Sequence, residues 1–385
     1  MIRVEKIIPG GYGLANAEDG KKIFLWNALP GEEVAEYNIT KNKSKYTEAV
    51  ATKIVTTSPH RVAPKDDCFL STSPWQIMSY DYELNEKRSL ITELFREHGI
   101  NIDTPDIITD GRDYHYRNKM EYALYYDNDT RKINLAFHAR GSHRKIPITS
   151  SSIERPELFT RATEIIDDLN ARREEARKYQ SLLLRTDASG HVSGGLYENH
   201  RPHPRFPTLT DEILGHTFSY SPNGFFQINL PVYGLALKEI AKHITSTDVL
   251  DLYSGVGTIG LSVAGNRRLT LVESDKSAYA ELEINAASFP SATPIYDKSE
   301  NALDYIKENQ TVILDPPRAG CAPALVGRLN EVCPREIIYL SCNPATQARD
   351  ISHLLPYYKI ASITTFNFFP RTPHIENLVI LRKLS

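Results

Sequence analysis

From about residue 228 onward, short apolar runs alternate with helical stretches. NLPVYGLALKEIAKHI has helical spacing and leads into DVLDLY; RLTLVE, TPIYD, QTVILDPP, REIIYLSC and ITTFNFF then follow at intervals. Strands separated by helices are joined by crossovers, and crossovers make neighbouring strands parallel. This stretch is therefore expected to form a mostly parallel, doubly wound α/β sheet. Ligands of such sheets sit beyond the carboxyl ends of the strands, and each chemically loaded segment of this chain falls at such an end.

The first of these strands runs into Asp251-Leu-Tyr253-Ser-Gly255-Val-Gly257-Thr-Ile-Gly260. Its glycines permit a tight turn and a close approach of backbone to ligand. Alone, the pattern suits a dinucleotide, S-adenosylmethionine or neither. The next strand ends at Glu273, where a carboxylate can accept hydrogen bonds from ribose hydroxyls. A nicotinamide cofactor would satisfy these two features equally well. Asp315-Pro-Pro-Arg318 favours a methyltransferase, because a proline-stiffened loop at a strand end gives a rigid wall to a flipped base.

REIIYL leads into Ser341-Cys342-Asn343-Pro344, and ATQARDISHLL then reads as a helix with Pro344 at its first position. Cys342 would precede a helix N-terminus, whose partial positive charge favours thiolate. A thiolate that adds to carbon 6 of uracil makes carbon 5 electron-rich enough to take a methyl group. A base must then remove the carbon 5 proton. Glu376, in a loop after the last of these strands, is the candidate base, and His374 is its rival.

Ahead of this region, residues 1–57 show short apolar runs punctuated by glycines, which suggests a five-stranded OB-like barrel of the kind that binds RNA. Residues 58–218 read as a central α+β domain. It holds a helix over 79–98 that is expected to pack with the catalytic domain, a hairpin over 114–148 with the turn DNDT, and a charged helix over 153–180. The catalytic domain is expected over 219–385.

The net charge of −3 does not point to nucleic acid, but residues 111–148 carry eight basic against four acidic residues and three histidines. A local patch of this kind sets the field at a binding face whatever the total charge. No apolar run approaches the roughly 20 residues of a membrane span, and the N-terminus lacks the apolar core of a signal peptide, so a cytoplasmic protein without a membrane partner is expected. The four cysteines, Cys68, Cys321, Cys333 and Cys342, form no CxxC pair. That argues against a disulfide framework or a zinc site, so no metal is expected.

Taken in order, the segments SPNGFFQIN, DLYSGVGTIGL, ILDPPRAGC, YLSCNPATQARDI and FPRTPHIENLVIL, with YRNKMEYAL and ARGSHRKIPI before them, resemble the RNA 5-methyluridine (uracil-C5) methyltransferase family. GGYGLA and NALPGEEV in the barrel resemble a TRAM domain. The resemblance covers most of the chain. It implies a Rossmann-like class I methyltransferase domain, S-adenosylmethionine as methyl donor, and a ribosomal or transfer RNA substrate. It also implies roles for single residues: Gln227, Tyr253, Glu273 and Asp315 at the cofactor, Cys342 as nucleophile and Glu376 as base. Many members hold an iron–sulfur cluster on four cysteines. Here the matching stretches read DDCFLSTSPWQIMSY and TSSSIE, so no cluster is expected.

Three rival readings make different demands on these residues. A 5-methylcytidine enzyme would usually place a cysteine after Pro316, where Pro317 stands. An amino-group methyltransferase needs no thiolate, and a non-catalytic RNA-binding module needs no site. A monomer is expected.

Overall fold

The structure, a computed structural model, describes residues 1–384. Five strands, β1 (Ile2–Ile8), β2 (Tyr12–Asn16), β3 (Lys22–Trp26), β4 (Glu33–Asn42) and β5 (Tyr46–Thr56), open the chain. Next come helices α1 (Phe69–Thr72) and α2 (Tyr80–Glu97) and strands β6 (Asp106–Ile108), β7 (Lys119–Asp127), β8 (Lys132–His138) and β9 (Lys145–Pro147). Helix α3 (Pro156–Ala171) precedes β10 (Tyr179–Thr186), β11 (Val192–Glu198), β12 (Leu209–Ile213) and β13 (His216–Tyr220). The remainder alternates: α4 (Leu230–His243), β14 (Asp248–Leu252), α5 (Thr258–Val263), β15 (Arg268–Glu273), α6 (Lys276–Ala286), β16 (Ala292–Tyr296), β17 (Gln310–Leu314), α7 (Pro323–Val332), β18 (Glu336–Ser341), α8 (Pro344–Leu354), β19 (Tyr358–Phe366) and β20 (Glu376–Lys383).

The chain forms two compact units. The first comprises residues 1–90, 112–205 and 369–374, and the second comprises 91–111, 206–368 and, among the described residues, 375–384. In the first unit β1–β5 close into a barrel of order β1-β2-β3-β5-β4. Period-2 alternation drives it: Ile23 and Leu25 point inward, with Val4, Ala15, Val34, Ala49 and Ala51 filling the narrow interior. The buried Glu32 carboxylate ties down the chain leaving the barrel, accepting from the Leu29 and Ser58 amides at 2.8 and 3.0 Å and from Arg61 Nε at 2.6 Å.

A five-stranded sheet of order β11-β10-β7-β8-β9 completes this unit. Helix α3 lays Leu158, Ala162, Ile166 and Leu169, one helical face, onto Tyr122, Leu124, Leu135 and Leu182. The β7–β8 hairpin turns where the sequence places DNDT. Helix α3 is shorter than the 153–180 expected from charge and spacing: it ends at Ala171, and Arg173 at φ 57° breaks it.

Also within the first unit, the segment 369–374 is held by buried charge. Lys87 and Glu83, both fully buried, pair at 2.8 Å one helical turn apart. Glu83 accepts from the Arg371 amide at 3.0 Å, and Lys87 donates to the Phe369 carbonyl at 3.1 Å. Removing one member of a buried pair strands the other. Lys87→Met is therefore expected to cost about 3 kcal/mol, read as a lowered urea midpoint of the full chain. An unchanged midpoint would mean that the pair contributes nothing net.

The second unit is built on an eight-stranded sheet of order β16-β15-β14-β17-β18-β20-β19-β6. Neighbours from β16 through β18 run parallel. Strand β20 is antiparallel to both β18 and β19. Every residue of β17 and β18 is buried, the mark of a sheet covered on both faces. The edge strand β6 comes from residues 106–108, far ahead of the alternating region, and pairs with β19. No helix among the described residues is long and apolar enough to cross a membrane.

Candidate active site

The functional candidates lie in the second unit, and the sheet register brings them together. Strands β14, β15, β17 and β18 are parallel, so Tyr253, Glu273, Asp315 and Cys342 all fall at their carboxyl ends. Strand β20 runs the other way and therefore starts at that same edge. Its last pair with β18 is Ser341 opposite Asn377, so one step further sets Cys342 beside Glu376. Glu376 is the first residue of β20, opposite Phe366 of β19, and so does not sit in the loop expected from the sequence. His374 falls in the first unit, its ring edge-on to Phe369.

Burial dominates the electrostatics here. It pushes the Asp315 carboxyl up to about 7. Glu376, fully enclosed, is pushed well above the ordinary carboxylate range by burial and then by Asp315, with Arg318 opposing. The Cys342 thiol, half-buried, is pushed up to about 11 by burial, then by Glu376 and Asp315, while Arg318 pulls it down. Helix α8 begins at Pro344 as expected. Its N-terminal dipole, which favours the thiolate, is opposed at Cys342 by desolvation and by the two carboxyl groups. The other cysteines have structural settings. Cys68 lies in the core under α3, Cys321 is buried against β18 with its thiol pushed up to about 12, and the Cys333 thiol donates to the Asn330 carbonyl at 2.9 Å.

At the other side of the site, the loop after β14 is shaped by its glycines. Gly257 sits at φ +88°, and a Cβ there would come within 2.5 Å of Leu282, whereas one on Gly255 would meet open space. Tyr253 is held at φ 62°, a costly conformation for a side chain of its size. Its amide donates to Ser299 Oγ and its hydroxyl to Glu300 Oε1, both at 3.1 Å. The Glu273 carboxylate accepts from the Gly255 amide at 2.8 Å and from the Ser274 and Asp275 amides at 2.6 and 2.5 Å. An ionised carboxylate has about four acceptor positions, so one remains for a ligand hydroxyl. Gln227 lies buried just before α4.

Residues 300–384 match the family model described as tRNA (Uracil-5-)-methyltransferase. An RNA methyltransferase of Prochlorococcus marinus is 28% identical, the match covering 93% of this chain and all of that protein. The 23S rRNA (uracil(1939)-C(5))-methyltransferase RlmD of Vibrio campbellii is 27% identical over 99% of this chain and 95% of its own. The chain is thus similar to RNA uracil-5 methyltransferases. The crystal structure of the Pyrococcus abyssi tRNA (uracil-54, C5)-methyltransferase, in complex with S-adenosyl-L-homocysteine, matches with a TM-score of 0.76 at 24% identity, covering 99% of this chain and 100% of that one. That likeness is one of fold: mixed α/β content with a small N-terminal barrel.

Two further buried groups lie at this site. Asp251, at the end of β14, accepts from the Gly260 amide at 2.8 Å through one oxygen, while the other has no partner. Burial raises its carboxyl to about 8, with Asp315 and Glu273 adding to the rise. Tyr233 of α4 is enclosed near Asp315, Asp251 and Glu376. An acidic residue closing the first strand is a legible signal for Asp251. Tyr233 reads from sequence as one more apolar position of an amphipathic helix.

Proposed function

We propose that this chain transfers a methyl group from S-adenosylmethionine to carbon 5 of a uridine in RNA. The observation that carries the reading is the placing of Cys342 and Glu376 side by side at the edge of the sheet, with Asp315 close enough to raise both. A nucleophile and a base on adjacent strands is the geometry that an addition–elimination reaction on one ring needs.

The residues present fit the cofactor. Gly255 leaves the loop face open, Glu273 keeps one acceptor position, and Asp251 keeps an unpartnered oxygen. Buried carboxyl groups at Asp251, Asp315 and Glu376, each shifted upward, favour a cationic ligand over a neutral one. When bound, S-adenosylmethionine supplies an electrophilic methyl group on a positively charged sulfur. Cys342 Sγ bonds to carbon 6 of the uracil, which moves the ring π electrons toward oxygen 4. Carbon 5 then takes the methyl. Glu376 removes the carbon 5 proton, the ring double bond re-forms, and the bond to Sγ breaks. Tyr253 would line the adenosine pocket, and the buried Gln227 would contact the cofactor. In this reading the eight-stranded sheet is the Rossmann-like, doubly wound sheet of the class I enzymes, residues 1–57 are an RNA-binding TRAM barrel, and the chain acts as a monomer.

Nucleoside mass spectrometry tests the reading. Unmodified ribosomal and transfer RNA are incubated with the protein and S-adenosylmethionine. Appearance of 5-methyluridine supports it, and the RNA that gains the mark names the substrate. Appearance of 5-methylcytidine instead, or of no product on either RNA, overturns it.

Glu273→Gln removes the charge from a ribose acceptor and weakens its grip on the Gly255 amide. A hydrogen bond to a charged group contributes about 1.5–3 kcal/mol, so the Kd for S-adenosylhomocysteine is expected to rise by a factor of roughly 10–150. Calorimetric titration reads the change, and an unaltered Kd removes Glu273 from the cofactor site.

A further inference from the structure

Strand register sets Asp315 and Cys342 at the ends of neighbouring strands, but Asp315 opens a loop, and a loop drifts unless it is tied. Residues 315–322 connect β17 to α7, and Pro316 and Pro317 restrict φ over the first part only. Beyond the prolines the loop is held by one helix, α8, which starts two residues after Cys342. Asn343 Nδ2 and Thr346 Oγ1 donate to the Arg318 carbonyl at 2.8 and 3.2 Å. Arg349 Nη2 donates to the Ala319 carbonyl at 3.0 Å. The Cys321 amide donates to Asp350 Oδ2 at 2.8 Å. Asn343, Thr346 and Asp350 follow one another at i, i+3 and i+7, the spacing of one helical face. The loop after β15, by contrast, is held by its own residues, with Glu273 and Asp275 taking the amides of their own turn and helix.

Asp350 anchors this grip. Its carboxylate is buried, a costly setting without partners. Oδ1 accepts from Arg349 Nε and Nη2 at 2.9 and 2.6 Å. That leaves Oδ2 to two neutral donors, the Cys321 amide and the hydroxyl of the buried Tyr339, each at 2.8 Å. Tyr339 lies on β18 three residues before Cys342, opposite Leu314, the residue that precedes Asp315. One carboxylate oxygen therefore joins the far end of the loop to the strand that carries the nucleophile. Gly320 shows how closely the loop is drawn in: it sits at φ +80°, and a Cβ there would come to 2.6 Å from both Asp350 and Arg349.

We propose that Asp350 is a positioning residue for methyl transfer. Through Tyr339 and the Cys321 amide it fixes the loop that carries Asp315 at a set distance from Cys342, and so sets the width of the gap that receives the uracil ring. The inference rests on the uracil-5 methyltransferase reading and on Cys342 as the nucleophile. Moving reacting groups apart by about 1 Å costs about 10²-fold in rate, so a loosened loop shows in the chemical step before it shows in binding.

Full-length wild type and variants are compared on the RNA that the wild type methylates, with kcat expressed per S-adenosylhomocysteine site counted by calorimetric titration. That count removes any loss due to misfolded molecules, so a merely structural role leaves the ratio unchanged. Asp350→Ala is expected to lower kcat per site about 10²-fold, with KM for RNA within about threefold of wild type. Asp350→Asn keeps an oxygen able to accept from both the Cys321 amide and Tyr339, and is expected to recover at least about tenfold of that loss. Gly320→Ala prises the loop off α8 without touching the carboxylate. It is expected to lower kcat in the same manner, and it decides the matter if Asp350→Ala binds no cofactor. A kcat per site within about threefold of wild type in either alanine variant, a rise in KM with kcat unchanged, or an Asp350→Asn protein no better than Asp350→Ala overturns the proposal. The two readings fail separately. A wild type that makes no 5-methyluridine sinks the proposed function and this inference with it, whereas an active wild type beside fully active variants sinks the role of Asp350 alone.

Discussion

Cys342→Ala is expected to lower 5-methyluridine formation by at least about 10³-fold, with little change in affinity for S-adenosylhomocysteine. The size of the loss follows from the chemistry. Without addition at carbon 6, carbon 5 of uracil is not electron-rich enough to attack a methyl group, and no neighbouring side chain can take over the addition. Among the other cysteines, Cys321 is enclosed against β18 and Cys68 lies in the core of the first unit. Retention of cofactor affinity follows from the strand order. Gly255 and Glu273 stand at the ends of β14 and β15, whereas Cys342 ends β18, with β17 between β14 and β18. Two strand spacings amount to about 10 Å, enough to leave the adenosine contacts intact. The measurement is nucleoside mass spectrometry beside calorimetric titration. Activity within tenfold of wild type would rule out a covalent route through this thiol, and loss of cofactor binding would show that the variant disturbs more than the nucleophile.

Much of this site is legible in the sequence because its parts are punctuated locally. Pro344 marks the start of α8, the glycines mark the turn after β14, and apolar runs mark β14, β17 and β18. What does not read locally is set by partners distant in the chain. Strand β6 is three residues long, too short to show any periodicity, and exists because β19 offers it a free edge. Glu376 looks like a loop carboxylate because FPRTPH before it has no strand pattern, yet pairing with Phe366 across β19 makes it a strand residue. The state of Cys342 is the clearest case. Its neighbours in sequence argue for a thiolate, whereas burial and then Glu376 and Asp315, 34 residues after and 27 before it, argue for a thiol. Sheet register brings them together, and no reading of the SCNP segment alone contains that register.

Glu376→Gln is expected to trap the enzyme on its RNA. Once carbon 5 carries both the new methyl and its original proton, the bond to Cys342 Sγ breaks only as that proton leaves. A glutamine in the same place preserves shape but cannot accept the proton, so release is expected to slow by about 10²–10⁴-fold. Addition and methyl transfer, which do not use this carboxylate, proceed. The adduct is then visible as a protein–RNA band that survives denaturing electrophoresis, depends on S-adenosylmethionine, and disappears in the Cys342→Ala, Glu376→Gln double variant. The pH dependence has a definite sign. Because burial and Asp315 hold the Glu376 carboxyl well above its ordinary value, the fraction able to act as base increases with pH, and wild-type release accelerates as pH rises through that value. In the glutamine variant this limb is absent, and the band persists at high pH. A variant that turns over at the wild-type rate, or one that forms no band while still binding RNA and cofactor, would move the proton-abstracting role away from Glu376 and make His374 the next residue to replace.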